Sequence, residues 1–352
     1  MKAILLAGGQ GTRLRPLTLG TPKPVVPIFN RPFLAYQLDQ VAAVPEIDEV
    51  VLSLNYQPDR IEDVLGDGSR FGVRLRYEVE PSPLGTGGAI KFATGTTADT
   101  VVVFNGDVLT SIDVAAVIRL HRERGALATI VLTPVPDPTA YGLVETDASG
   151  NVLRFREKPK PDQITTRNIN AGVYVLEPAA FDRIPHGVPS SIERDFFPSV
   201  VERGETFVAY LYEGYWIDIG TPAKYREVHH DIMNGRFSAA PFRGVAAPGK
   251  VVSHLARVHP DAHVEGPCFI DEGVVVEAGA RIKPLSVLGR DCHIGSGTTI
   301  DGAILWPGCR VGMNASVVGS LVGRACVLGS HVKLGPSAIL GDGTVLTDYS
   351  TL

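Results

Sequence analysis

Val276-Glu277-Ala278-Gly279-Ala280-Arg281-Ile282-Lys283-Pro284-Leu285-Ser286-Val287-Leu288 carries an aliphatic residue at every sixth position: Val276, Ile282 and Leu288. That spacing is neither the 3.6-residue period of a helix nor the two-residue alternation of a strand. It fits a coil that turns a corner every six residues and sends one apolar side chain inward at each corner. Moving outward, the same register takes in Val252, Val258, Val264 and Ile270 before this stretch, and Ile294 and Ile300 after it. The register slips by one and resumes at Leu305, Val311 and Val317, then slips again and resumes at Val322, Leu328, Leu334, Leu340 and Leu346. Every one of these positions is Val, Ile or Leu. Residues 251–352 are therefore expected to form a hexapeptide-repeat parallel β-helix.

Residues 1–236 follow a different pattern. Short, apolar, β-branched runs at Ala3 to Leu6, Val50 to Leu54, Val101 to Phe104 and Leu127 to Leu132 read as buried parallel strands. Amphipathic stretches such as Phe33 to Val44 and Val114 to Arg124 lie between them. The alternation predicts a three-layer α/β domain with a mostly parallel sheet, whose ligands sit at the carboxyl ends of the strands. Further strands are expected at Leu143 to Thr146, Asn170 to Leu176 and Tyr215 to Ile219, and a last helix after Pro222. The small-residue, Pro- and Gly-containing stretch 237–250 reads as a linker or docking segment. The strand pattern is complete before it, so a chain ending near residue 236 is expected to fold.

A net charge of −5 gives no broad basic face, which argues against nucleic-acid binding; an anionic ligand needs a local cationic cluster instead. No run approaches the roughly 20 apolar residues of a membrane span, and the apolar start is too short for a secretory signal. Cys268, Cys292, Cys309 and Cys326 form no CxxC pair, so they read as buried reduced thiols of a cytoplasmic protein.

The first strand opens into Leu6-Ala7-Gly8-Gly9-Gln10-Gly11-Thr12-Arg13, followed by Thr21-Pro22-Lys23-Pro24. A glycine-rich turn after a strand lets backbone N–H groups close on a phosphate or a base. A Walker loop would close with Gly-Lys-Ser/Thr where Thr12-Arg13 stands, and a dinucleotide fingerprint would have glycine in place of Leu14. Arg13 offers a fork of donors for phosphate oxygens and Lys23 a compact charge. Asp107 follows the strand Val101 to Asn105, and Asp218 lies between Ile217 and Ile219, where an unpaired carboxylate is costly. Two carboxylates from separate strands suit Mg²⁺.

These motifs closely resemble the signature of the sugar-nucleotide pyrophosphorylases. The resemblance continues through Pro83 to Gly88, Asn105-Gly106-Asp107, Tyr141-Gly142, Glu157-Lys158-Pro159, Asn170-Ala171-Gly172 and Trp216 to Gly220. Within that family the set is most similar to mannose-1-phosphate guanylyltransferases with a C-terminal hexapeptide β-helix, a left-handed coil. The resemblance implies a Rossmann-like nucleotidyltransferase domain that joins an NTP to a sugar 1-phosphate and releases pyrophosphate. It implies triphosphate binding and catalysis by Arg13 and Lys23, and Mg²⁺ ligation by Asp107 and Asp218. Nucleotide contacts fall to Leu6, Ala7, Gly8, Gly9, Gly11, Thr12, Glu80, Gly85 and Asn105. Sugar-phosphate contacts fall to Gly142, Glu157, Lys158 and Asn170. A homo-oligomer assembled through the β-helix is expected.

Glu80 bears on the base. Uridylyl- and thymidylyl-transferring relatives typically carry glutamine there. A carboxylate only accepts hydrogen bonds, and guanine presents two adjacent donors, so Glu80 favours GTP over UTP or dTTP. A glucose-1-phosphate uridylyl- or thymidylyltransferase remains the alternative. Outside that class stand a regulatory nucleotide-sugar-binding subunit and, through His263, His293 or His331 of the coils, a hexapeptide acyltransferase.

Overall fold

The computed structural model describes residues 1–95 and 97–352. The chain forms two compact units, one of Met1–Gly9 with Leu34–Asp218 and the other of Gln10–Phe33 with Ile219–Leu352. Compactness thus parts the chain differently from composition, which changes near residue 236. The helix Pro222–Met233 and the segment that follows the first glycine-rich turn belong with the C-terminal repeats.

In the first unit the β-branched runs become strands. Lys2–Leu6 lies centrally, parallel to Glu49–Leu54 on one side and to Val101–Asn105 on the other. Leu75–Val79 extends the parallel set. Asn168–Leu176 joins Val101–Asn105 antiparallel, and Ala128–Pro134 and Phe207–Leu211 continue the sheet beyond it. The middles of the central strands are apolar because both faces are covered, and Ala3, Ile4, Leu5, Val102 and Val103 are all buried. The helix Gly85–Thr94 packs on Lys2–Leu6 and Glu49–Leu54. The helix Val114–Glu123 starts where the Asp113 carboxylate accepts the Ala116 N–H at 3.0 Å, and it packs on Ala128–Pro134. A separate ribbon pairs Trp216–Asp218 antiparallel with Val108–Thr110.

In the second unit three parallel sheets of two- and three-residue strands stack coil upon coil. Val276 lies over Ile294 and Ile282 over Ile300, as the six-residue period requires. The slips in the period are real shortenings. Leu288 pairs with Leu305 across the first slip and Leu305 with Val322 across the second, each one residue closer in sequence than a full coil. The missing residue comes from corners at Asp301-Gly302 and Val318-Gly319, where Gly302 and Gly319 take φ of 59° and 52°. Inward positions from Ile270 to Leu334 are buried, whereas Val252 in the first coil is 43% exposed because no further coil stacks on it. Cys292, Cys309 and Cys326 lie inside this core, each thiol donating to a carbonyl of the following coil (Trp306, Gly323 and Gly341). Burial pushes the Cys268 thiol up to about 11, which leaves little of its reactive thiolate at neutral pH. No helix among the described residues is long and apolar enough to cross a membrane.

The segment 237–250 begins as a docking element: Phe237, Ala239 and Phe242 are buried, and Phe242 lies 5.3 Å from the Phe29 ring. Phe269 sits at the same distance on Phe29, and Trp306 bonds to Tyr225. A chain cut at residue 236 therefore strips apolar partners from Phe29 and Tyr225. Such a truncation should melt at least about 5 °C below the intact chain, or be insoluble, by the usual shift per kcal/mol for domains of this size. Equal melting temperatures by circular dichroism would contradict this packing.

Candidate functional site

Three strands of the first unit end together. The Ala7 N–H donates to the Ser53 carbonyl and the Gly106 N–H to the Leu6 carbonyl, both at 2.9 Å. A Cβ on Gly106 would lie 2.4 Å from the Leu6 oxygen, so only glycine permits this closure. Leu6, Ala7, Gly8, Asn105 and Asp107 thereby share one carboxyl edge. A side chain at Gly8 would meet the backbone of Asn55 and the Glu80 carboxylate, whereas Gly9 faces open space. The Oδ1 of Asn105 is buried and has no hydrogen-bond partner among the described residues.

Glu80 is buried beside this turn. Its Oε1 accepts from the Ser53 hydroxyl at 3.1 Å and its Oε2 from the Leu84 N–H at 2.9 Å. Each carboxylate oxygen keeps a lone pair, so the group is held in one orientation and can still accept from a base. Gly85 follows at φ 71°, and a Cβ there would lie 2.6 Å from the Ser190 carbonyl. That carbonyl accepts from both Gly87 and Gly88. The glycines after Leu84 thus seat the helix Gly85–Thr94 on Ser190, a partner the sequence reading missed.

The two candidate metal ligands lie in and beside the ribbon. Asp218 lies opposite Val108, the residue after Asp107, so the backbones that carry the two carboxylates run side by side at one end of the ribbon. Both are partly exposed. The Tyr141 hydroxyl donates to Asp218 Oδ1 at 3.0 Å, and its ring meets Trp216 edge-on. Trp216 is itself anchored by its indole N–H on the Ala171 carbonyl at 2.9 Å. Tyr141 and Trp216 stand within recognisable motifs, yet nothing in the sequence alone assigned them this orienting role. No cluster of three or more metal-ligating side chains occurs among the described residues. Two aspartates without a closed protein cage suit Mg²⁺, which completes its shell with phosphate oxygens and water.

Gly142 pairs with Glu157 across two antiparallel strands, and the Lys158 N–H donates to the Tyr141 carbonyl. Burial, followed by repulsion from Glu193, raises the Glu157 carboxyl above its ordinary range, against the pull of Lys158 and Arg194. Lys158 itself is exposed. Asn170 accepts from the Gly172 N–H and donates to the Tyr174 hydroxyl, both at 2.8 Å. These bonds hold the irregularity in Asn168–Leu176 and leave one amide N–H of Asn170 for a ligand.

Within the second unit, Gly11 precedes the tight turn Thr12–Leu14, and the Thr18 hydroxyl closes on the Gly11 carbonyl at 2.7 Å. Leu14 and Leu17 are buried beneath it and Arg13 is exposed. The guanidinium of Arg13 covers Gly220, where a Cβ would lie 2.9 Å from it. Lys23 opens a second tight turn, Lys23–Val25, largely buried. Of the coil histidines, His293 pairs with Glu277 at 3.0 Å in an exposed position, and His331 stacks on Tyr349.

Residues 2–235 match the model of the Nucleotidyl transferase family, and residues 251–352 match the EIF2B subunit epsilon LbH domain, a left-handed β-helix. The chain is 40% identical over 311 residues to the mannose-1-phosphate guanylyltransferase of Mycobacterium tuberculosis, covering 88% of this chain and 80% of that one. It is 33% identical over 344 residues to the UTP–glucose-1-phosphate uridylyltransferase of a Synechocystis species, covering 93% and 88%. Among solved structures it resembles HddC from Yersinia pseudotuberculosis complexed with GMP-PN, at a TM-score of 0.55 and 31% identity, covering 66% of this chain and 99% of that one.

The raised carboxyl of Glu157 has a consequence for stability. A carboxyl whose folded-state pKa is raised stabilises the fold fully below its unfolded pKa and loses that stabilisation as pH rises through the folded value. At neutral pH the ionised Glu157 therefore works against the fold. Glu157→Gln should raise the melting temperature at about pH 7.5 and lose that gain near about pH 4, the usual mark of a functional carboxylate. A melting temperature that falls equally at both values would remove the electrostatic reading.

Proposed function

This chain belongs to the nucleotidyl transferase family, and on that premise we propose that it transfers GMP from GTP to mannose 1-phosphate, giving GDP-mannose and pyrophosphate. The observation that carries the guanine assignment is the buried, pre-oriented Glu80 carboxylate beside Gly8. The guanylyltransferase relative and the GMP-PN complex of HddC support it.

A phosphate oxygen of the sugar 1-phosphate attacks the α-phosphorus. The new P–O bond forms as the bond to the bridging oxygen breaks, and pyrophosphate leaves with that electron pair. Positioning and electrostatics carry such a step without a protein nucleophile. Arg13 and Lys23 neutralise the triphosphate and the charge that grows on pyrophosphate. Backbone amides of Gly8, Gly9, Gly11 and Thr12 bind the nucleotide, with Leu6, Ala7, Gly85 and Asn105 bordering it. Asp107 and Asp218 would hold Mg²⁺, which supplies charge neutralisation between phosphate oxygens when bound; Tyr141 fixes the Asp218 carboxylate in advance. Lys158 meets the sugar phosphate, and Glu157, Asn170 and the Gly142 backbone meet sugar hydroxyls.

Pyrophosphate release over a grid of NTPs and sugar 1-phosphates tests the substrate pair, with GTP and mannose 1-phosphate expected to lead. The Synechocystis relative supports a second reading, and UTP with glucose 1-phosphate ahead by more than about tenfold in kcat/KM would favour it. Glu80→Gln should weaken GTP use by roughly 10–150-fold, the loss of a charge-assisted hydrogen bond, with a smaller gain for UTP. A lower melting temperature at an unchanged GTP preference would make Glu80 a tie between Ser53 and Leu84 only.

Arg13→Ala should lower kcat by about 10²–10³, the scale of one lost transition-state donor. Asp107→Asn and Asp218→Asn should each shift the Mg²⁺ titration of activity upward or abolish turnover. Activity within threefold of the parent for Arg13→Ala, or unchanged metal titrations for both Asp variants, would remove those roles.

A further inference from the structure

The segment Gln10–Phe33 has little structure of its own. It contains two single-turn helices, Thr12–Leu14 and Lys23–Val25, and a hairpin of two-residue strands, Pro27–Ile28 with Arg31–Pro32. Its shape is set by the helix Pro222–Met233 and the β-helix, with which it forms one compact unit. Three attachments bracket Lys23. Two residues before it, the Thr21 hydroxyl donates to Asp342 Oδ2 at 3.4 Å, while Asp342 Oδ1 accepts the Arg324 N–H at 2.8 Å. Four residues after it, the Pro27 carbonyl accepts from the Tyr225 hydroxyl, which accepts in turn from the Trp306 indole at 2.9 Å. Beyond that, Asn30 donates to Asp271, and Phe29 packs on Phe242, Phe269 and His229.

The middle attachment has a fixed direction. An indole N–H can only donate, so the Tyr225 oxygen must accept it and send its own proton to Pro27. Tyr225 and Trp306 are 1% and 2% exposed, so no water replaces either bond if the loop moves. Displacing Pro27 would cost a buried hydrogen bond, and losing the indole would remove the donor that directs the phenol's proton to Pro27. We propose that the Trp306–Tyr225–Pro27 relay makes the β-helix a working part of nucleotidyl transfer, holding the Arg13–Lys23 loop in its NTP-binding shape. Trp306 and Tyr225 are positioning residues that act through the loop. The proposal rests on the reading of Arg13 and Lys23 as the triphosphate ligands.

Steady-state kinetics on the full-length protein tests it. Tyr225→Phe keeps the ring and removes both bonds; Trp306→Phe removes the indole donor alone. Each should raise KM for the NTP or lower kcat by about ten- to a hundredfold, the scale of a small misplacement of catalytic groups. KM for the sugar 1-phosphate should stay within about twofold. In an Arg13→Ala background, Tyr225→Phe should add less than about threefold, because both changes act on one loop. A lowered melting temperature with both kinetic constants unchanged, or a KM for the sugar 1-phosphate raised as much as that for the NTP, would overturn the relay. Should Arg13→Ala itself leave activity intact, the loop reading falls first, and the two failures are told apart.

Discussion

The hydrogen bond from the Gly106 N–H to the Leu6 carbonyl draws two neighbouring parallel strands together just past their ends, where no side chain fits between them. Much of the first unit's chemistry follows from that closure. It turns the chain so that Asp107 leaves the sheet edge and Val108–Thr110 departs as a ribbon, which Trp216–Asp218 then joins. Gln37 secures the turn from the helix side, donating to the carbonyls of Asn105 and Val108 at 2.9 and 2.6 Å. Two segments far apart in sequence, one ending in Asp218 and the other beginning after Asp107, are thereby paired.

The polar groups at this edge are held by the protein itself. Glu80 is braced by Ser53 and Leu84, Asp218 by Tyr141, and Asn170 by Gly172 and Tyr174. Each keeps acceptor or donor capacity beyond its internal bonds, which is the condition for meeting a ligand without reorganising. Such bracing lowers the entropic cost of ordering flexible polar side chains when substrate arrives. The Asn105 Oδ1, buried without a partner among the described residues, is the exception, and an unmade bond of that kind is costly unless a ligand completes it.

The cationic groups follow another logic. The chain carries net charge −5, so a polyanionic nucleotide cannot be drawn by the overall field and depends on local cations. Arg13 and Lys23 sit on a segment too short and too irregular to form its own core. Stacked β-helix coils are rigid because each inner strand is paired above and below, and a rigid body of that kind is a natural support for a loop. Tyr225, Trp306, Asp342 and Asp271 convert the support into specific hydrogen bonds.

The fold was legible in the sequence wherever a period repeats often enough to exclude other readings. Val276, Ile282 and Leu288 and their echoes predicted the coils, down to the two slips that proved to be shortened corners at Gly302 and Gly319. The apolar runs predicted the parallel strands because burial on both faces leaves few polar positions to interrupt them. The types of the site residues were legible too, since glycine, arginine and aspartate at strand ends carry chemistry that few other residues supply. What only the tertiary structure decided is who holds whom. Nothing in the sequence ties Tyr141 to Asp218, Ser190 to the glycines after Leu84, or Trp306 through Tyr225 to Pro27, because these are single contacts between segments far apart in the chain. A periodic pattern is written many times over and survives reading one residue at a time, whereas a single long-range hydrogen bond exists only once the backbone has brought its two ends together.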